Sequence, residues 1–125
     1  MSDDEVMVLG PGEGRAYAIG AMTGVFKADG EETGDRYCVS EWSVEPGGEG
    51  PGPHHHDENE ELFLVTAGTM AFLVGDDWID APAGTFIRVP KGVTHDFANR
   101  TGEPARAFNV FLPGGGFEAK FKQWV

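Results

Sequence analysis

The sequence contains a single cysteine, Cys38, so no internal disulfide can form and the fold must be held by packing. Basic residues are scarce: 9 Lys plus Arg stand against 21 Asp plus Glu, a formal charge of -12 with histidine counted neutral. Such a balance repels phosphate backbones and anionic lipid headgroups, which argues against nucleic-acid and membrane-surface partners. Long apolar runs are missing too. The longest, Leu62 to Val74, is interrupted by Thr66, Gly68 and Thr69 and is too short to span a bilayer. The first ten residues, MSDDEVMVLG, are acidic where a secretory signal is basic, so a cytoplasmic location is expected. Helical periodicity is nearly absent. At 125 residues the chain is expected to be one domain, 1–125, able to bury roughly two thirds of the surface its unfolded form exposes.

What the sequence has in abundance is turn formers, 19 glycines and 8 prolines. Between them lie short alternating segments rich in β-branched and aromatic residues: Tyr37 to Val44, Leu62 to Thr66, Met70 to Val74, Phe86 to Val89 and Ala105 to Leu112. These read as strands. The turn Gly75-Asp76 and the loop Ala81 to Gly84 join neighbouring runs with the rhythm of an antiparallel sandwich or barrel. The glycine-rich stretch up to Gly34 reads as edge strands and loops. In the tail, Phe117, Phe121 and Trp124 fall at i, i+4 and i+7 after Pro113-Gly-Gly-Gly116, predicting one short amphipathic helix over about 115–124. Its apolar face either covers one end of the β core or lids a pocket.

Three of the four histidines are adjacent, in Pro53-His54-His55-His56-Asp57, and the fourth is His95. In an extended chain His54 and His56 share one face and His55 takes the other. Glu61 opens an apolar run, where a carboxylate is costly unless it is paired or bound to a cation. His95 begins a second alternation, with Phe97 and Asn99 on its face and Asp96 and Ala98 opposite. A solvated His-rich surface patch is the competing explanation for the cluster taken alone.

The spacing goes further. Gly48-x5-His54-x-His56-x4-Glu61-x6-Gly68 and Gly84-x5-Pro90-x-Gly92-x2-His95-x3-Asn99 resemble, at ten positions, the two sequence motifs of the cupin superfamily, and the fifteen residues between them match the short spacing of its small microbial members. The motif region spans 48–99. The resemblance implies an all-β fold, a small antiparallel β-barrel or jelly roll, in which the family's metal ligands fall on His54, His56, Glu61 and His95. Glu60 is the rival for Glu61, since family spacing allows three or four intervening residues; alternation and the count to Gly68 favour Glu61. Pro90 and the motif glycines have turn-forming reasons of their own, and Asn99 is expected to hydrogen-bond within the barrel end.

Three neutral imidazoles and a carboxylate suit one divalent transition metal, whether Fe, Mn, Ni, Co, Cu or Zn. By alternation Phe63, Val65 and Phe97 stand on the ligands' faces, as ordinary core or as the wall of an apolar substrate pocket. The Gly/Pro-rich approach to the histidines and the ending Phe111-Leu-Pro-Gly-Gly-Gly-Phe117-Glu look most like small quercetin-dioxygenase-like monocupins. That similarity implies metal-dependent oxidative cleavage of a small enolic or aromatic (flavonol-like) substrate, with Glu61 as both ligand and catalytic base, and a homodimer as the assembly. The same four ligands also serve isomerases, decarboxylases, lyases and non-catalytic small-molecule binding modules, because fold membership does not settle function.

Overall fold

The computed structural model describes residues 5–123. Its elements, in chain order, are β1 (Arg15–Ile19), β2 (Met22–Ala28), α1 (Gly30–Thr33), β3 (Cys38–Val44), β4 (Glu60–Ala67), β5 (Thr69–Val74), β6 (Asp77–Pro82), β7 (Phe86–Val89), β8 (His95–Ala98), β9 (Ala105–Leu112) and α2 (Phe117–Lys122). The strands form two antiparallel sheets, a six-stranded one in the order β1-β2-β3-β9-β4-β7 and a three-stranded one in the order β6-β5-β8. This is the antiparallel arrangement that the alternation and turn spacing predict and the jelly roll that the motif resemblance implies. Among the described residues no helix is long and apolar enough to cross a membrane.

Period-two alternation builds the core. Cys38, Ser40, Trp42 and Val44 of β3 point inward, as do Ala105, Ala107, Asn109 and Phe111 of β9 and Glu61, Phe63 and Val65 of β4. Register then sets neighbours: Trp42 faces Ala107, Ser40 faces Asn109, and Glu61 sits between Phe111 and Val89. Large rings therefore stand beside small residues, and the two sheets interdigitate through Phe63–Phe72 at 5.1 Å and Trp42–Phe97 at 6.2 Å between ring centroids. Each such ring, fully buried, stabilises the fold by about 1.5–3 kcal/mol. Cys38 lies within this core, and burial pushes its thiol up to about 12, which leaves it unreactive.

Three departures from the sequence-based expectation have local causes. Before Gly34 the chain forms an edge strand, β1, but also β2, which pairs on both sides, and the short α1. The α1 turn is held by Asp29, whose side chain accepts from Glu31 N at 3.1 Å while Asp29 N donates to Glu32 Oε1 at 3.2 Å, a reciprocal cap. The Ala81–Gly84 loop begins late, because β6 runs on to Pro82; Asp77 to Asp80 are all exposed on a sheet edge and so carry no alternation to read. Finally, the tail helix starts at Phe117 rather than 115, since Gly115 and Gly116 adopt left-handed backbone angles (φ 59° and 69°) that make the turn into it. Trp124 lies outside the described residues.

Helix α2 closes one end of the barrel. Phe121 is 2% exposed and meets Trp42 edge-on at 4.9 Å. On the other side, Glu118 accepts from Arg15 Nε (2.8 Å), Arg15 Nη2 (2.9 Å) and Tyr17 Oη (2.7 Å). Burial pushes the Glu118 carboxyl up, but Arg15 and Tyr17 outweigh it and hold the group below its ordinary value. Two outcomes are expected. Phe121→Ala should cost about 3 kcal/mol in denaturant unfolding. Because the folded-state pKa of Glu118 is depressed, its contribution is complete above the unfolded value and is lost as pH falls through the folded one. Glu118→Gln should accordingly flatten the acid limb of the stability profile below about pH 4.5, and an unchanged acid limb would show that the contact adds nothing.

Candidate metal centre

The loop before the histidines is laid along β8. Asn99 N donates to Gly48 O at 2.9 Å, Gly52 N to Asp96 Oδ1 at 3.1 Å, and His54 and His95 exchange backbone hydrogen bonds at 3.0 and 2.8 Å. Glycine at position 50 makes this possible, since a Cβ there would stand 1.9 Å from the Phe97 carbonyl oxygen. The covering loop is also why Asp96, expected on the outer face, is buried: it accepts from Gly52 N and from Phe97 N (2.8 Å). Gly92 N donates to His56 O at 2.8 Å, so the two sequence motifs are tied together by backbone hydrogen bonds.

This arrangement brings one ligand atom from each of His54, His56, Glu61 and His95 within 4.8 Å of one another. Glu61 Oε1 lies 2.9 Å from His56 Nε2 and 3.1 Å from His95 Nε2, with Glu61 4% and His95 2% exposed. His54 donates Nδ1–H to Gly52 O (2.7 Å) and His95 donates Nδ1–H to Val93 O (2.9 Å). In the neutral rings this leaves each Nε2 with a lone pair directed inward. The buried Nε2 of His56 makes no hydrogen bond. Lone pairs converging on a carboxylate oxygen repel unless a proton or a cation lies among them, and this donor set could hold a divalent ion.

The metal-free electrostatics agree. Burial alone would raise the Glu61 pKa, but His56 and His95 hold it at about 2. For His95 burial lowers the pKa, yet the Glu61 contact outweighs this and raises it; burial dominates at His54, lowered despite the Gly52 carbonyl. A divalent ion held by these donors would compete with any proton between His95 and Glu61, so its uptake would be coupled to proton release.

The neighbouring candidates separate clearly. Glu60 points away and pairs with Arg88 at 2.8 Å, while His55 is half exposed, 3.3 Å from Asp57. Asn99 donates to Val44 O and Glu103 O, and its Oδ1 accepts from Thr101, within the barrel end. Phe63 and Phe97 line a cavity of about 340 Å³ that opens onto the four ligand residues. Val65 shares their inward phase but sits one step further along β4, packed at 1% exposure in the core and not on the cavity wall. The wall also includes the apolar Met22, Trp42, Phe111, Phe117 and Phe121, together with Pro51, Gly115 and the polar His55 and Asn59, and Lys120 is its one lysine or arginine among the described residues.

Sequence reasoning missed Asn109. Its Nδ2 donates to Glu61 Oε2 at 2.8 Å, its Oδ1 accepts from Ser40 Oγ at 3.4 Å, and Trp42 Nε1 donates to Ser40 Oγ at 2.8 Å. The signal was present: Ser40 and Asn109 are polar residues at inward positions of two alternating strands. Such partners behind a ligand hold its orientation.

The cluster makes a direct prediction. His55→Ala should leave metal content unchanged, whereas alanine at His54, His56 or His95 should strip the ion from purified protein by elemental analysis. Equal loss at all of 54, 55 and 56 would favour a surface patch.

Comparison with known proteins accords with this geometry. The sequence finds no match among curated proteins. Among solved structures the fold is similar to a predicted oxalate decarboxylase from Thermotoga maritima (16% identity, TM-score 0.79, 86% of this chain and 99% of that one). It is also similar to the polyketide cyclase RemF from Streptomyces resistomycificus (26%, 0.66, 81% and 69%) and to KdgF from Halomonas sp. (14%, 0.65, 74% and 79%). The family model for the cupin domain matches residues 40–111, a span that runs from Ser40 through all four candidate ligands to Phe111. With more than half its length matched in this way, the chain belongs to the cupin domain family.

Proposed function

We propose that the chain binds one divalent transition metal through His54, His56, Glu61 and His95 and is a metal-dependent dioxygenase of a small enolic or aromatic molecule. The observation that carries the reading is the junction of this four-donor cluster with a cavity walled by Trp42, Phe63, Phe97, Phe111, Phe117 and Phe121. Such a wall fits a planar, largely apolar molecule. It serves a small dianion, such as the oxalate named for one structural neighbour, poorly.

A bound divalent ion would supply Lewis acidity, lowering the pKa of an enol or phenol brought against it. The chain's own groups do the rest. Asn109 holds Glu61 Oε2 and so fixes the plane of the carboxylate that would take the hydroxyl proton of a bound substrate. The rings of the cavity orient the planar molecule and keep water from its reacting carbon. Lys120 at the wall offers a cation to an anionic substituent.

A second reading, non-redox chemistry on the same kind of substrate, is favoured by the 26% identity to the polyketide cyclase RemF. Anaerobic loading with Fe(II), Mn(II), Ni(II), Co(II), Cu(II) or Zn(II), followed by an oxygen-electrode screen of flavonols and other enolic or catecholic compounds, separates the two. Oxygen uptake is expected for a dioxygenase. Turnover that proceeds equally well under nitrogen would replace it with the non-redox reading.

Glu61→Gln keeps the shape but cannot accept a proton. Three imidazoles should retain a substantial share of the metal, while kcat per bound metal falls by about 10² to 10⁴. Activity per metal near the wild-type value would mean that Glu61 serves only to neutralise the ion.

A further inference from the structure

Two of the three clustered imidazoles are pinned from behind, and the third is not. His54 and His95 each donate Nδ1–H to a backbone carbonyl two residues upstream. Among the described residues His56 has no such bond from its ring to a backbone carbonyl, and its buried Nε2 has no hydrogen-bond partner. Its ring is held instead by packing: it stands edge-on to Phe111, with centroids 4.9 Å apart and planes at 88°. Phe111 in turn is stacked on Phe117 at 4.6 Å and 24°. Phe117 is the first residue of α2, and it is wedged against Phe26 at 5.6 Å and Trp42 at 6.3 Å.

The position of Phe117 is fixed from outside the cavity. Glu118, the next residue, is the one bound by Arg15 and Tyr17 of β1. The linker before it is tied as well, with Gly114 N donating to Asp35 O (3.1 Å), Gly115 N to Asp35 Oδ1 (2.8 Å) and Asn59 Nδ2 to Pro113 O (2.8 Å). The structure thus contains a continuous path of contact from the β1 edge, through α2 and two stacked rings, to one ligand of the cluster.

We infer that α2 positions a metal ligand: Phe117, acting through Phe111, holds the His56 ring in the orientation that the metal site requires. Phe111 and Phe117 are positioning residues for His56. The inference rests on the metal-binding reading above and adds a coupling to it. Phe117 and Phe121 also line the cavity, so the helix that walls the cavity is the same helix that seats one of its ligands.

Phe117→Leu keeps an apolar residue at the helix start but removes the stacked ring. Zn(II) titration of the metal-free protein should show affinity reduced by about 10-fold, and Phe117→Tyr, which retains the ring, should restore it. A long-range ¹H–¹⁵N spectrum of the histidine side chains, recorded without metal, should show the His56 resonances altered by Phe117→Leu while those of His54 and His95 stay in place. Uniform change at all three histidines, or none at His56, would overturn the inference, because a merely structural role for Phe117 has no reason to single out one ring. Failure of the wild-type protein to bind any of the six metals would reject the metal reading itself, and the metal-free spectrum would still decide whether Phe117 positions His56.

Discussion

A carboxylate in the wall of an apolar barrel must be neutralised where it stands. Glu61 is 4% exposed, between Phe111 and Val89 in the sheet register, and removing such a charge from water carries a penalty of several kcal/mol. Much of the surrounding structure answers that penalty. His56 and His95 approach Oε1, Asn109 donates to Oε2, and Ser40 and Trp42 stand behind Asn109. A partner removed from a buried charge exposes the full cost of burying it, which makes the inward polar residues of β3 and β9 part of the same constraint as the ligands themselves.

The charge of the chain and the character of its cavity are strongly contrasted. Acidic residues outnumber basic ones by more than two to one, yet Glu61 is the one carboxylate on the wall among the described residues. With a divalent ion at the four donors and Lys120 across the wall, the interior would be positive inside an acidic exterior. At physiological ionic strength the outer charges act over only about 8 Å, so a molecule past the rim meets the ion, the lysine and the rings rather than the surface.

The strands that frame the site were legible because alternation and burial coincide in them: β3, β4 and β9 fall where the β-branched and aromatic runs lie, and His54, His56, Glu61 and His95 come together as the motif resemblance implies. Other features were hidden for identifiable reasons. Strand β6 is an exposed edge with no inward face to mark it. The burial of Asp96 depends on a loop contributed from more than forty residues away, and the cover over the cavity depends on where the glycine turn at 115–116 releases the chain into α2. Asn109 was readable in principle, as a polar residue in phase with Ala105, Ala107 and Phe111, but its partner is 48 residues distant and only strand order brings them together.

The short hydrogen bonds behind His54 and His95 reach back only two residues, to Gly52 and Val93. Each of these imidazoles therefore carries its own aiming device within a three-residue stretch of backbone, independent of which side chains fill the barrel. These two donors keep their aim when the wall changes at positions such as Met22 or Phe63, whereas a change at Phe111 or Phe117 also alters the support of His56, so a new guest fitted by way of β9 and α2 comes with a retuned centre.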